Sequence, residues 1–166
     1  MGAPRNQKLS PARRKGDRMS LKTLYNTDFA AWSDQTAALI RAGQFAEIDF
    51  QKVAEEIEDM GKSERAAVWS HLNRLLLHKI KQIIQPERDS ASWRVSIESA
   101  RQAIRQRIKS SPSLRPYLQQ NLQEIYREAI KLALIETEME FAAVPDECPW
   151  DLGALLDEPP KEALAN

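Results

Sequence analysis

Apolar residues recur at steps of three and four along most of this 166-residue chain, and no stretch alternates apolar and polar residues as a strand would. Residues 19–166 hold only three glycines and four valines, both of which are poor helix formers. Spacing and composition together predict an all-α protein. A chain of this length can bury a sufficient core without disulfides, and its single cysteine excludes an internal one.

The periodic stretches predict five helices, which span about 28–42, 48–60, 63–84, 91–109 and 114–140. Thr27 is the expected N-cap of the first helix, and Gly43 is the expected residue that ends it. Gly61 and Ser63 predict a break or bend between the second and third helices. We therefore predict an antiparallel bundle of four to five helices with a docked C-terminal extension.

Each predicted helix carries an apolar stripe that is expected to face the core. In the segment 48–60 the stripe consists of Phe50, Val53, Ile57 and Met60. In the three later helices the stripes consist of Trp69, Leu72, Leu76, Ile80 and Ile83, then Trp93, Ile97, Ala100, Ile104 and Ile108, then Leu118, Leu122, Ile125, Ala129 and Leu132.

The two ends of the chain differ from this body. Residues 1–18 hold six basic residues, one acidic residue and few large apolar side chains, so they cannot offset their own ordering entropy. Near the other end, Asp151 is expected to cap a short turn, and Trp150 is expected to dock on the bundle with three leucines. The expected organisation is a disordered basic extension, a single bundle domain and a frayed tail, over 1–18, 19–157 and 158–166.

The sequence offers no sign of a membrane or of export. No stretch approaches the roughly 18 consecutive apolar residues of a membrane span. The N-terminal residues lack the apolar core of a secretory signal. We therefore expect a cytoplasmic protein with no membrane partner.

The formal net charge of zero hides three charged blocks. The segment 45–64 has seven acidic and two basic residues, 79–115 has nine basic and three acidic residues, and 124–158 has ten acidic and two basic residues. Opposite charges on neighbouring helices select which helices pair, although each exposed ion pair adds less than about 1 kcal/mol. The pattern predicts contacts between the basic segment and the acidic ones, within one chain or between two.

Four basic residues of the predicted helix 91–109 are spaced so that they lie near one side. They form a candidate anion-binding face and are Arg94, Arg101, Arg105 and Lys109. No aromatic residue is interleaved with them, which weakens an interpretation as a single-stranded nucleic-acid site. The alternative is a solvated face, or one that is paired within the chain through residues such as Glu98.

The loop at 85–94 combines charged residues with a large aromatic ring. Its arginines could pair with carboxylates of the segment 55–59, as guanidinium and carboxylate groups do bidentately. The candidate clamp or pocket edge consists of Glu55, Glu58, Asp59, Arg88, Trp93 and Arg94. A structural clamp between helices is the favoured interpretation, and a pocket edge or partner site is the alternative.

Catalytic motifs are missing from the sequence. His71 and His78 lie seven residues apart, about 10 Å along a helix, which is too far to ligate one metal ion together. They are therefore only weak metal candidates, which would need carboxylates from 55–59. Cys148 lies among acidic residues, which disfavour its thiolate. No catalytic residue, metal or cofactor is predicted.

Six segments in order and at specific spacings resemble one protein family. They are LYNTDFAAW (24–32), EEIEDMGKSER (55–65), LLLHKIKQIIQPER (75–88), SWR.SI (92–97), SPSLRPYL (111–118) and CPWDLGALLD (148–157). The chain thereby resembles the bacterial and cyanobacterial domain-of-unknown-function family 29. The resemblance implies an all-helical fold and a natural start near Met19, and it implies no activity or site residue.

These observations favour a small helical protein-interaction or regulatory module that acts through helix faces. Its partner would be another protein or a second copy, as in a homodimer. The first alternative is nucleic-acid or phosphate binding by the Arg-rich helix 91–109, as in a toxin–antitoxin-like regulator. A metal-dependent enzyme that uses His71, His78 and the carboxylates of 55–59 is the weakest alternative.

Overall fold

The computed structural model describes residues 20–139 and 144–156, and all regular structure in these ranges is helical. The α-helices are α1 (Leu21–Thr27), α2 (Phe29–Arg41), α3 (Phe50–Ile84), α4 (Ala91–Ser110), α5 (Leu114–Thr137) and α6 (Leu152–Leu155). Two short 3₁₀ turns occupy Phe45–Glu47 and Pro86–Arg88. The prediction of an all-α helical bundle is confirmed.

The chain divides into two compact units, Met1–Ala54 and Glu55–Asn166. The single bundle domain expected over 19–157 stays a prediction. The basic extension expected at 1–18 and the frayed tail expected at 158–166 lie outside the described residues.

The described part of the first unit consists of α1, α2 and the start of α3. Tyr25, Phe29 and Trp32 pack together, and the Tyr25 and Trp32 ring centroids lie 5.1 Å apart. The sequence predicted α2 but not α1, which is too short to show a helical period. Thr27 is the last residue of α1 and donates its hydroxyl to the Thr23 carbonyl, so Asp28 caps α2 instead.

The prediction of a break or bend at Gly61 is wrong, because α3 runs through this residue without interruption. Gly43 has a φ of 70° and follows the end of α2 as expected, whereas Gly61 keeps an ordinary helical backbone. One glycine costs a helix about 1 kcal/mol, which a helix of 35 residues tolerates. Lys62, next to Gly61, pairs with Asp59 one helical turn away at 2.7 Å.

The second unit contains the bundle core. Glu64 contacts Arg107 and His78 lies beside Trp93, so α3 and α4 run antiparallel. A short turn reverses the chain into α5. The core contains most of the predicted stripe residues, with Leu72, Leu76, Ile80, Ile97, Ala100, Ile104, Leu118, Ile125 and Ala129 all buried.

Some of the predicted core positions are exposed. The stripe of 48–60 is the main error, because Phe50, Ile57 and Met60 are more than half exposed. Ile83 and Leu132 are also exposed at the ends of their stripes. Sequence periodicity identifies an apolar face but cannot show whether another element covers it.

The C-terminal segment packs against the bundle core within the second unit, as predicted. Asp151 caps α6 by accepting a hydrogen bond from the Ala154 amide, and Leu152, Leu155 and Leu156 are buried. Burying a leucine contributes about 1.5–3 kcal/mol, which explains why this short segment is held. Tyr126 in α5 fixes the start of this C-terminal segment by donating a 2.9 Å hydrogen bond to the Pro145 carbonyl.

Candidate functional site

The loop at 85–94 meets the ends of α3 and α5 around one buried lysine. The Lys81 ammonium lies 2.7 Å from the Glu136 carboxylate of α5 and 4.5 Å above the Trp93 ring of α4. The Lys81 side chain is only 11% exposed. Trp93 thus lies against an ion pair that joins α3 to α5.

The structure does not bring the predicted clamp residues together. Arg94 donates a 2.7 Å hydrogen bond to Asp89, within its own loop, and Asp59 bonds to Lys62. Because α3 and α4 run antiparallel, the start of α4 lies beside residue 78. The carboxylates of 55–59 are about 20 residues back along α3, roughly 30 Å away at 1.5 Å per residue.

The remaining members of the predicted clamp lie apart. Arg88 is exposed in the 3₁₀ turn that follows α3. Glu55 is half-buried and Glu58 is exposed, both in the first turns of α3. Trp93 and Arg94 are therefore neighbours in the first turn of α4, whereas Glu55, Glu58 and Asp59 lie far from them along α3.

The predicted anion-binding face has a structural use. The Arg101 Nε donates a 2.9 Å hydrogen bond to the Leu155 carbonyl, and Arg105 donates to the Leu156 carbonyl through Nε, at 2.8 Å, and through Nη2. These carbonyls are at the end of α6, where helical carbonyl groups lack partners and carry partial negative charge. Arg101 also contacts Glu98 at 2.6 Å. Two of the four basic groups thus hold the C-terminal segment.

The other two basic groups are separated from this contact. Arg94 pairs with Asp89, and Lys109 is exposed in the last turn of α4. Anion binding by the four residues together stays a prediction. The sequence could not show the role of Arg101 and Arg105, because their acceptors are backbone carbonyls that no side-chain pattern reveals.

The charge blocks do pair within the chain. Glu64, from the acidic segment 45–64, lies 2.9 Å from Arg107 of the basic segment. Lys81, from the basic segment, pairs with Glu136 of the second acidic segment. Both contacts join different helices with opposite charges, as the charge pattern predicts.

The two histidines lie on the side of α3 that faces α4. Burial lowers the pKa of His71 below its usual value, and the positive charges of Arg107 and Arg74 lower it further. Burial also lowers the pKa of His78, and the positive charge of Lys81 lowers it further. Both imidazoles are therefore mainly neutral at pH 7. Within 20–139 and 144–156, no group of three or more His, Cys, Asp or Glu side chains could hold a metal ion.

Cys148 is half-buried in the docked C-terminal segment. Its thiol donates to the Trp150 carbonyl at 3.3 Å, and burial raises its pKa. A raised pKa leaves the thiol protonated at neutral pH, so the group is a poor nucleophile. The acidic neighbours expected to disfavour the thiolate are thus less important than burial.

Two concave surfaces among the described residues are candidate sites, one on each side of α3. The first, the α3–α4 cleft, has a volume of about 440 Å³ and is lined by Glu64, His71, Gln106, Arg107, Ser110 and Ser111. The second, the α3–α5 groove, has a volume of about 390 Å³ and is lined by Trp69, Asn73, Arg74, Leu77, Glu128 and Leu132. The lining of the first is about equally polar and apolar, and the second has an apolar floor.

The α3–α5 groove is well ordered by hydrogen bonds across its walls. The Trp69 indole donates a 2.8 Å hydrogen bond to the Glu128 carboxylate, which fixes the ring at the groove wall. Leu132 lines the groove, and Ile135 is exposed three residues further along the same side of α5. We call Leu132 and Ile135 the α5 ridge. The sequence predicted Leu132 and Trp69 in the core; Leu132 is exposed instead, and Trp69 packs against the core while also lining the groove.

A model of a known protein family matches most of the chain. A family model described as domain of unknown function DUF29 matches residues 24–159. The chain belongs to this family. The match includes all six segments on which the resemblance rests, so that prediction is confirmed. No curated protein and no solved structure matches this DUF29 protein.

Neither the family nor the helices assign a cellular location. Among the residues that the structure describes, none of the helices has the length and apolarity needed to cross a membrane. The cytoplasmic location and the bacterial source expected for this DUF29 protein stay predictions.

Proposed function

We propose that this DUF29 protein is an interaction module that self-associates through the α3–α5 groove and the α5 ridge. The observation that carries the proposal is the exposure of the ridge, whose residue Ile135 is 74% exposed. Contiguous apolar side chains that remain at the surface beside a groove are typical of interaction sites. Recognition of a helix in such a groove uses apolar side chains at these spacings.

A second copy is the partner that the surface fits best. Each copy supplies both a protruding apolar row and a groove with an apolar floor, so a two-fold pair would bury both at once. The groove walls carry opposite charges, Arg74 on α3 and Glu128 on α5. The surface is therefore complementary to itself in charge as well as in shape.

This proposal is favoured over nucleic-acid binding because of how the arginines are used. Arg101 and Arg105 would be central to a phosphate-backbone contact, yet both donate to carbonyls of the C-terminal segment. A nucleic acid would have to displace that segment from them. The self-association surface requires no such change.

The experiment compares two exposed apolar side chains on different helices. Ile135→Glu places a charge in the centre of the proposed interface, and the matched control Val95→Glu places one on the exposed face of α4. Size-exclusion chromatography with light scattering should give a dimer for the parent and for Val95→Glu, and a monomer for Ile135→Glu. Circular dichroism should show equal helicity in all three, because both positions are exposed.

Two results would count against the proposal. A parent protein that is monomeric up to millimolar concentration does not self-associate. A dimer that survives Ile135→Glu, or that Val95→Glu disrupts equally, does not use the α5 ridge.

A further inference from the structure

The α3–α4 cleft differs from the proposed interface in both position and chemistry. Its walls bring together a guanidinium, an imidazole, a carboxamide, two hydroxyls and one carboxylate. Its volume of about 440 Å³ falls within the range of small-molecule sites, about 300–1,000 Å³. The group of side chains is rich in hydrogen-bond donors, which favours a ligand rich in acceptors.

Arg107 and Glu64 cross the cleft and restrain each other. The Arg107 Nη1 lies 3.0 and 2.9 Å from the two carboxylate oxygens of Glu64, and both side chains are partly exposed. The pair is therefore in contact with solvent and can exchange one partner for another at modest cost. A guanidinium in such a position can form charge-assisted bonds to an oxyanion.

Two guanidinium groups act on the imidazole of His71. Arg107 and Arg74 both oppose its protonation, although burial is the larger cause of its lowered pKa. An anion placed beside the imidazole is attracted by the same two guanidinium groups. The neutral imidazole adds an N–H donor at the same wall.

We propose that the α3–α4 cleft binds a small organic phosphate, with its phosphoryl oxygens on Arg107 and His71. The ligand's hydroxyl groups would meet Gln106, Ser110 and Ser111, which line the α4 side and its C-terminal turn. Glu64 acts as a competitor that the phosphoryl group must displace from Arg107. None of the four residues of the predicted anion-binding face lines this cleft.

The competitor role of Glu64 gives a test in which two variants change affinity in opposite directions. Binding of glycerol phosphate is measured by calorimetry, and glycerol serves as the neutral comparison. Arg107→Gln should weaken binding by about ten-fold or more, because it removes a charge-assisted contact. Glu64→Gln should strengthen binding, because it releases the guanidinium. The matched control Lys109→Gln removes one exposed cation two residues from Arg107 and should leave affinity within about two-fold.

Nuclear magnetic resonance locates the ligand and tests its chemical class. Glycerol phosphate should shift the ring signals of His71 and leave those of His78 unchanged. Inorganic phosphate should compete with it, and acetate should not. The proposal is overturned if the parent does not bind, if Lys109→Gln weakens binding as much as Arg107→Gln, if Glu64→Gln fails to strengthen it, or if acetate competes equally.

Discussion

Replacing Gly61 by alanine is expected to stabilise the protein by about 0.5–1 kcal/mol. Glycine is less favourable than alanine by that amount inside a helix, because it loses more backbone freedom on folding. The structure offers nothing to offset the gain. An added Cβ would lie 3.6 Å and 3.8 Å from the two terminal nitrogens of Arg65, which are ordinary contacts with a flexible side chain.

Gly43 supplies a control, because its backbone is left-handed whereas that of Gly61 is helical. A Cβ added there would meet nothing within 4 Å, so space is not a restriction. Its φ of 70° is left-handed, however, and an alanine in that conformation costs about 1–2 kcal/mol. Gly43→Ala should therefore destabilise the protein, although the change in composition is the same.

The two variants are compared by urea unfolding and by amide hydrogen exchange along 57–65. A gain of about 1 kcal/mol corresponds to roughly five-fold slower exchange at those amides in Gly61→Ala. A lower unfolding midpoint, or faster exchange, in Gly61→Ala would refute the argument. That outcome would mean that Gly61 ends or bends a helix, as its sequence context predicts.

Three further predictions concern the second unit. Glu136→Gln should destabilise the protein by about 2 kcal/mol in urea unfolding, because it leaves the buried Lys81 ammonium without its charged partner. Lys81→Met should destabilise it by less, because the Glu136 carboxylate that it leaves unpaired is half exposed. Equal losses of stability in the two variants would contradict this reasoning. Arg105→Gln should destabilise the protein by about 1–2 kcal/mol and speed the amide exchange of Leu156, because it removes a charged donor from the Leu156 carbonyl. Unchanged exchange would mean that docking of the C-terminal segment does not depend on the Arg105 guanidinium. Because the pKa of His78 is lowered from 6.5, the stability that its neutral imidazole contributes is complete above about pH 6.5 and is lost as the pH falls; the urea midpoint should drop as the pH falls below about 6.5, and by less in His78→Gln.

The local features of this fold were predictable because they depend on residues close in sequence. Asp151 caps α6 and Gly43 follows the end of α2 at the positions that capping chemistry indicates. Apolar residues at steps of three and four mark the buried faces of α3, α4 and α5. Such patterns report energies between side chains within one or two helical turns.

The candidate site could be predicted only in part. The sequence singled out Trp93, but its contact with Lys81, and the ion pair of Lys81 with Glu136, depend on helix length and direction. The expected break at Gly61 left open where the carboxylates of 55–59 lie relative to this loop. An uninterrupted α3 carries them away, because each residue adds about 1.5 Å.

The sequence by itself determined that the chain is helical, where most helices begin and end, and which charged segments attract each other. Only the tertiary structure decided that Arg101 and Arg105 hold the end of α6, that Glu64 meets Arg107, and that Ile135 stays at the surface. The reason is physical. Helix formation is governed by contacts within a few residues, whereas the pairing of side chains on different helices is set by their packing, length and register.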